Sequence, residues 1–249
     1  MGSAGTREEN GEFEVYVTGW KAEAAPSRHK LSARAPDFSF DLELTPRKSP
    51  VLHGDSGYSQ KGERPEEASC YYSITRLGAA GKVTVDGQEK IVSGIAWMDH
   101  EFSSAPLNEE LAGWDWLGLQ FQDGSDLMVY LMRGKDGRFS PVSSGTFVEK
   151  DGKAIHLAAE DFRITTQSSW KSTHSGAIYP SVRVLEVFPL DLRITVVPNM
   201  EDQEMESPGT TNVTYWEGSV SAGGSGQGGR PVSGEGYAEL AGYAGPTGF

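Results

Sequence analysis

Short segments rich in β-branched and aromatic residues recur along this chain at strand length, and Asp-Gly dipeptides punctuate them. The segments fall at 38–44, 82–85, 91–97, 127–132, 181–187, 192–197 and 213–220. Between them stand Asp86-Gly87, Asp123-Gly124, Asp136-Gly137 and Asp151-Gly152, whose glycines tolerate the positive φ of tight hairpins. The pattern predicts an all-β chain built as an antiparallel meander. Helical periodicity nowhere exceeds two or three turns; its best candidate is 106–111, between Pro106 and Gly113. No fixed-period repeat is present, which argues against a propeller or solenoid and leaves closed barrels as the simplest way to remove sheet edges. The 249 residues accommodate one large barrel or two. The polar stretch 51–67 reads as a long loop, and the Gly-rich stretch 221–229 as a hairpin tip.

A formal charge of −13 disfavours nucleic acid and anionic membrane surfaces, so a neutral or cationic small molecule is the expected partner. No apolar run approaches the roughly 20 residues of a membrane helix, and the N-terminus lacks the basic and apolar regions of a signal peptide, so a soluble chain is expected. The single cysteine, Cys70, excludes a disulfide framework and a Cys-rich zinc site, and reads as a small buried strand residue. His53, His100, His156 and His174 lack metal-ligand spacing, so neither a metal nor another cofactor is expected. A nucleophile elbow, a phosphate loop and a dinucleotide fingerprint are all missing.

Candidate chemistry lies where acids are embedded in aromatic residues. Strand alternation puts Trp97 and Asp99 on one face of the segment 97–101, which reads Trp-Met-Asp-His-Glu. A carboxyl beside a large ring loses hydration and can act as a general acid, although an aspartate there can equally cap a turn. Similar clusters occur at Gly113-Trp114-Asp115-Trp116 and Tyr215-Trp216-Glu217-Gly218. Alternation sets Trp114 and Trp116 opposite Asp115, so the acids cannot all enter one cavity. Two carboxylates around an aromatic cleft would also suit glycoside hydrolysis.

At these residues the chain resembles the AttH-like and carotenoid 1,2-hydratase-like family. The matching segments begin with Val51-Leu52-His53-Gly54-Asp55-Ser56-Gly57-Tyr58-Ser59, Tyr71-Tyr72-Ser73-Ile74-Thr75-Arg76 and Ala96-Trp97-Met98-Asp99-His100-Glu101-Phe102-Ser103-Ser104. They continue through the two clusters above to Gly236-Tyr237-Ala238-Glu239-Leu240-Ala241-Gly242-Tyr243. The resemblance implies two consecutive lipocalin-like barrels, 1–105 and 106–249, the first incomplete beside longer family members. It also implies a secreted or periplasmic protein. In the hydratases an aspartate followed by histidine protonates an isolated alkene before water adds. Asp99 matches that aspartate, while Trp97 stands where the hydratases carry tyrosine.

The resulting expectation is a metal-independent hydrolase or hydratase (a lyase) acting on a neutral, apolar or glycosidic molecule, with Asp99 as general acid. His100, Glu101 and Glu217 are expected to orient it or activate water. Trp97, Trp114, Asp115, Trp116, Tyr72, Trp216 and Tyr237 are expected to bind substrate. The competing readings are a glycosidase using a carboxylate pair and a non-catalytic carrier of a hydrophobic ligand.

Overall fold

The computed structural model describes residues 3–104, 110–207 and 213–245. The chain divides into two compact units, Met1–Pro50 with Ile74–Asp99, and Val51–Ser73 with His100–Phe249. Among the described residues, regular structure is antiparallel strand apart from three single-turn 3₁₀ segments. None of the described helices is long and apolar enough to cross a membrane. The helical candidate at 106–111 lies mostly outside the described residues, and its last residue, Leu111, opens a strand.

In the first unit, strands Ala4–Glu9, Glu12–Val17, Trp20–Ala25, Arg28–Arg34 and Phe38–Pro46 each pair with the next. The last pairs in turn with the distal part of Ala68–Val85. That strand pairs with Gln88–Phe102 across Asp86-Gly87, whose φ values of 50° and 75° suit the tight hairpin turn expected there. The register sorts side chains by chemistry. Leu31 faces Leu42, and both pack with Ala79, Ala96 and Met98 around buried Leu44, Ile74 and Leu77. The other face carries ion pairs such as Lys21–Glu14 at 2.8 Å and Arg34–Asp41 at 2.7 Å. Exposed pairs of this kind contribute about 0–1 kcal/mol each, so burial on the apolar face dominates.

In the second unit, strands run in the order Ala154–Leu157, Ser144–Val148, Asp126–Gly134, Leu111–Phe121, Arg230–Leu240, Thr214–Gly226, Leu192–Pro198, Arg183–Val187 and Phe162–Thr166. Period-two alternation sends Leu117, Leu119 and Phe121 to the same side as Leu127, Val129, Leu185, Ile194 and Val220. These residues meet with Leu157 and Phe162, from the two ends of that order, in one buried cluster. Only a sheet curled on itself brings its first and last strands to one core. The expected Asp123-Gly124 and Asp151-Gly152 hairpins join neighbouring strands, with glycine φ of 92° and 93°.

Two loop readings change. Within 51–67, strands Val51–Leu52 and Tyr58–Gln60 pair with the proximal part of Ala68–Val85. Strands of two or three residues are too short to show alternation. The glycines at 221–226 continue strand Thr214–Gly226, and only Gln227–Gly229 forms the hairpin tip. Cys70 is on a strand but exposed, because alternation turns Ser69 and Tyr71 inward instead.

Candidate functional site

The second unit's sheet has two chemically distinct faces, and its register assigns each acid to one of them. One row of directly paired residues runs Trp216, Leu240, Asp115, Leu131 and points into the core. The next runs Glu217, Glu239, Trp116, Tyr130 and points outward. Trp216 is therefore core, with its indole N–H donated to the Glu201 carbonyl at 2.7 Å. The structure does not bring Asp115 and Trp216 to the same face as Trp116 and Glu217. Trp114 shares the outward parity of Trp116, opposite Met132.

The outward row is rich in groups that bind and move protons. Glu217 and Glu239 oppose each other on neighbouring strands, where paired Cβ atoms lie about 4.5–5.5 Å apart. Tyr215 and Tyr237 flank them, two residues away on the same strands and the same face. Burial, then the Glu217 carboxylate, pushes the Tyr215 hydroxyl up to about 12. Burial and the same carboxylates also raise Tyr237. Both phenols consequently stay protonated near neutral pH, with the Glu217 carboxylate among the groups that keep the proton on each.

The segment around 51–73 covers the neighbouring part of this face. The Trp116 indole donates to the Tyr71 hydroxyl at 3.0 Å. Tyr130 donates to the Gln60 carbonyl at 2.9 Å, and the Lys61 ammonium sits 3.7 Å over the Tyr130 ring. Lys61 also pairs with Glu101 at 2.9 Å, and Glu101 accepts the Ser69 hydroxyl. Tyr72 stacks on His100 at 5.1 Å between ring centroids. Thus Glu101, His100 and Tyr72 gather near the covering segment, while Glu217, Trp116 and Tyr237 share the sheet face beside it.

His53 organises that covering segment. Its ring is fully buried, 4.3 Å from the Tyr71 ring, with Nδ1 2.9 Å from Thr146 Oγ1 and Nε2 2.7 Å from Ser73 Oγ. Burial, reinforced by the charge of Lys61, lowers its pKa to about 3. The unfolded chain takes up a proton near pH 6.5 that the folded chain refuses until pH 3, so this stabilisation is complete above 6.5 and lost as pH falls. Between pH 7 and 4 the expected loss from this one group is about 3 kcal/mol. Denaturant melts of His53→Gln against the parent should show a shallower acid limb in the variant. Parallel pH dependences would refute the linkage.

In the first unit, Asp99 is exposed near the end of strand Gln88–Phe102 and accepts the Trp97 indole N–H at 2.7 Å. The pair shares a face as alternation requires. Among the described residues no three His, Cys, Asp or Glu side chains converge as a metal-ligand set.

Sequence reasoning passed over His53, Tyr71, Lys61, Tyr130 and Glu239 as site residues. It also passed over Arg133, Arg183 and Tyr243, which surround Asp115 at one end of the curled sheet. Tyr243 donates to Asp115 Oδ1 at 2.9 Å, and Arg183 Nη1 lies 3.4 Å from Oδ2. A detectable signal existed. Asp115 continues the apolar parity of Leu117 and Leu119, Arg133 that of Val129 and Leu131, and Arg183 that of Leu185 and Val187. A charge in step with an apolar face is a buried charge. Gly113 supports this end: its backbone passes so close to the returning chain that a Cβ would lie 2.1 Å from the Ala241 carbonyl oxygen.

Comparison with known proteins fits this architecture. No curated protein matches the chain. Among solved structures it is similar to an AttH candidate from Nitrosomonas europaea, at 31% identity and a TM-score of 0.85 over 92% of this chain and 70% of that one. It is also similar to kievitone hydratase from Nectria haematococca, at 18% identity and a TM-score of 0.72, over 88% of this chain and 65% of that one. CghA with Sch210972 follows at 13% identity and a TM-score of 0.57, over 98% and 71%. At those two lower identities the likeness shows the lipocalin-like fold alone. A family model described as AttH-like matches residues 1–243, and with the antiparallel architecture above it establishes that the chain belongs to the AttH-like family.

Proposed function

We propose that this chain is a metal-independent acid–base enzyme that adds water to, or hydrolyses, a neutral and largely apolar or glycosidic small molecule, with Glu217 activating the water. The observation that carries this reading is the outward row Glu217–Glu239–Trp116–Tyr130, with Tyr215 two residues from Glu217 on the same face. Beside the protonated Tyr215 hydroxyl, the carboxylate takes a proton from water as the water oxygen bonds to substrate carbon. Trp116 supplies a flat apolar wall whose face can stabilise developing positive charge by about 0.5–2 kcal/mol. One of the similar folds belongs to a hydratase, in keeping with water addition.

A glycosidic substrate is favoured by one specific feature. Glu217 and Glu239 are directly opposed across two strands, which sets two carboxylates side by side on one face, the kind of pair a glycosidase uses. In that variant of the reading, one carboxylate attacks or activates water and the other protonates the leaving oxygen.

The test is turnover of a panel of glycosides and alkene-bearing lipophiles by purified protein, beside Glu217→Gln and Asp99→Asn. Asp99 matches the family's proton-donating aspartate by resemblance alone, and its Asn variant can keep the Trp97 hydrogen bond through the amide oxygen. The expected result is at least about 10-fold slower turnover for Asp99→Asn with an unchanged melting temperature. Full activity in that variant would pass proton delivery to another group. Ligands that bind and are released unchanged by all three proteins would make the chain a carrier and overturn the enzymatic reading.

A further inference from the structure

The inner end of the second unit holds more positive charge than its carboxylate can balance. Asp115 and Arg183 are each 2% exposed, and Arg133 is mostly buried. Asp115 is the acid both arginines approach, and neither contact is tight: Arg183 Nη1 stands 3.4 Å from Oδ2 and Arg133 Nε 4.0 Å from Oδ1. Arg133 otherwise donates through Nη2 to the Ala241 carbonyl at 2.7 Å and stacks 4.0 Å over the Tyr243 ring. The Nε atoms of both arginines are buried without a hydrogen-bond acceptor.

Tyr243 cannot supply the missing charge. Burial and the adjacent Asp115 carboxylate push its hydroxyl far above neutral pH, so it stays a donor. Burial also presses on both members of the ion pair, raising Asp115 and lowering Arg183. Two guanidiniums, one carboxylate and a neutral phenol therefore sum to an uncompensated cation in a low-dielectric interior, with two orphaned donors. A buried unsatisfied group of this kind calls for a specific acceptor.

We propose that Arg133 and Arg183 form a binding site for a small monovalent anion, of the size of a carboxylate group or a halide, beside Asp115. Guanidinium forks present paired N–H donors that match a carboxylate, and a single positive charge in excess matches a single negative one. Arg133, the more exposed of the two, is the side of approach, and Tyr243 stacked on it limits the size of what enters. The occupant is either the carboxylate of a small organic acid or an inorganic halide.

Thermal melts of the full chain in sodium formate, sodium chloride and sodium gluconate at equal ionic strength test the site, since gluconate is too bulky to enter. The expected result is a saturable rise in Tm with formate, chloride or both, about 4 °C at ten times the Kd, and none with gluconate. Response to formate alone identifies an organic carboxylate, and response to chloride identifies a halide. Arg133→Met should abolish the rise. Equal Tm values in all three salts, or a rise that persists in Arg133→Met, would overturn the proposal. Should Arg133→Met not fold, crystals of the parent soaked in bromide and in formate decide the matter. An anomalous peak between the two guanidiniums, or formate density there in crystals soaked in formate, supports the site, and its absence from both soaks removes it.

Discussion

Glu217→Gln is expected to lower turnover by about 10²–10⁴-fold, the range for a positioned general base, while the fold stays intact. The amide keeps the shape of the side chain, but it cannot take a proton from water. Stability should hold or rise slightly. The residue lies on the outward face, and removing its charge relieves repulsion from Glu239 directly across the ladder. The measurement is kcat on the best substrate from the panel, with a melt of the same sample. Glu239→Gln separates the two chemistries. A carboxylate pair working on a glycoside loses both kcat values together, whereas water addition through Glu217 alone leaves Glu239→Gln closer to the parent. Full turnover in Glu217→Gln would end the assignment.

Much of the fold was legible because it rests on local rules. Asp-Gly pairs mark hairpins through glycine φ, and alternation correctly separates Asp115 from Trp116. What alternation cannot give is which side faces inward, since that depends on how distant strands curl together. Trp216 and Glu217 illustrate the point: adjacent in sequence, one lies in the core and the other on the outer face. The site was less legible for the same reason. Glu239 meets Glu217, and His53 meets Thr146, through pairings more than 20 and 90 residues long, and no local pattern encodes such a register. The charged residues in step with apolar faces were the exception, readable from parity alone.

Those inward charges give the largest expected change in stability. Asp115→Asn should destabilise the second unit by about 3–5 kcal/mol, because it leaves Arg183 buried with no counter-charge. For a unit of this size that is a drop of about 10 °C in its melting transition. The exposed pair Arg163–Glu186, at 2.7 Å, is the control: removing Arg163 breaks a shorter contact, yet should shift stability by no more than about 1 kcal/mol. Geometry alone would rank the two the other way, and desolvation reverses the order. A double variant, Asp115→Asn with Arg183→Met, should be less destabilised than the sum of its single variants, since it removes the orphaned charge together with its partner. Additive losses, or an Asp115→Asn melt within 1 °C of the parent, would mean that the aspartate does not hold Arg183 in the interior. The buried guanidinium would then have to be balanced by something other than this chain's own carboxylate.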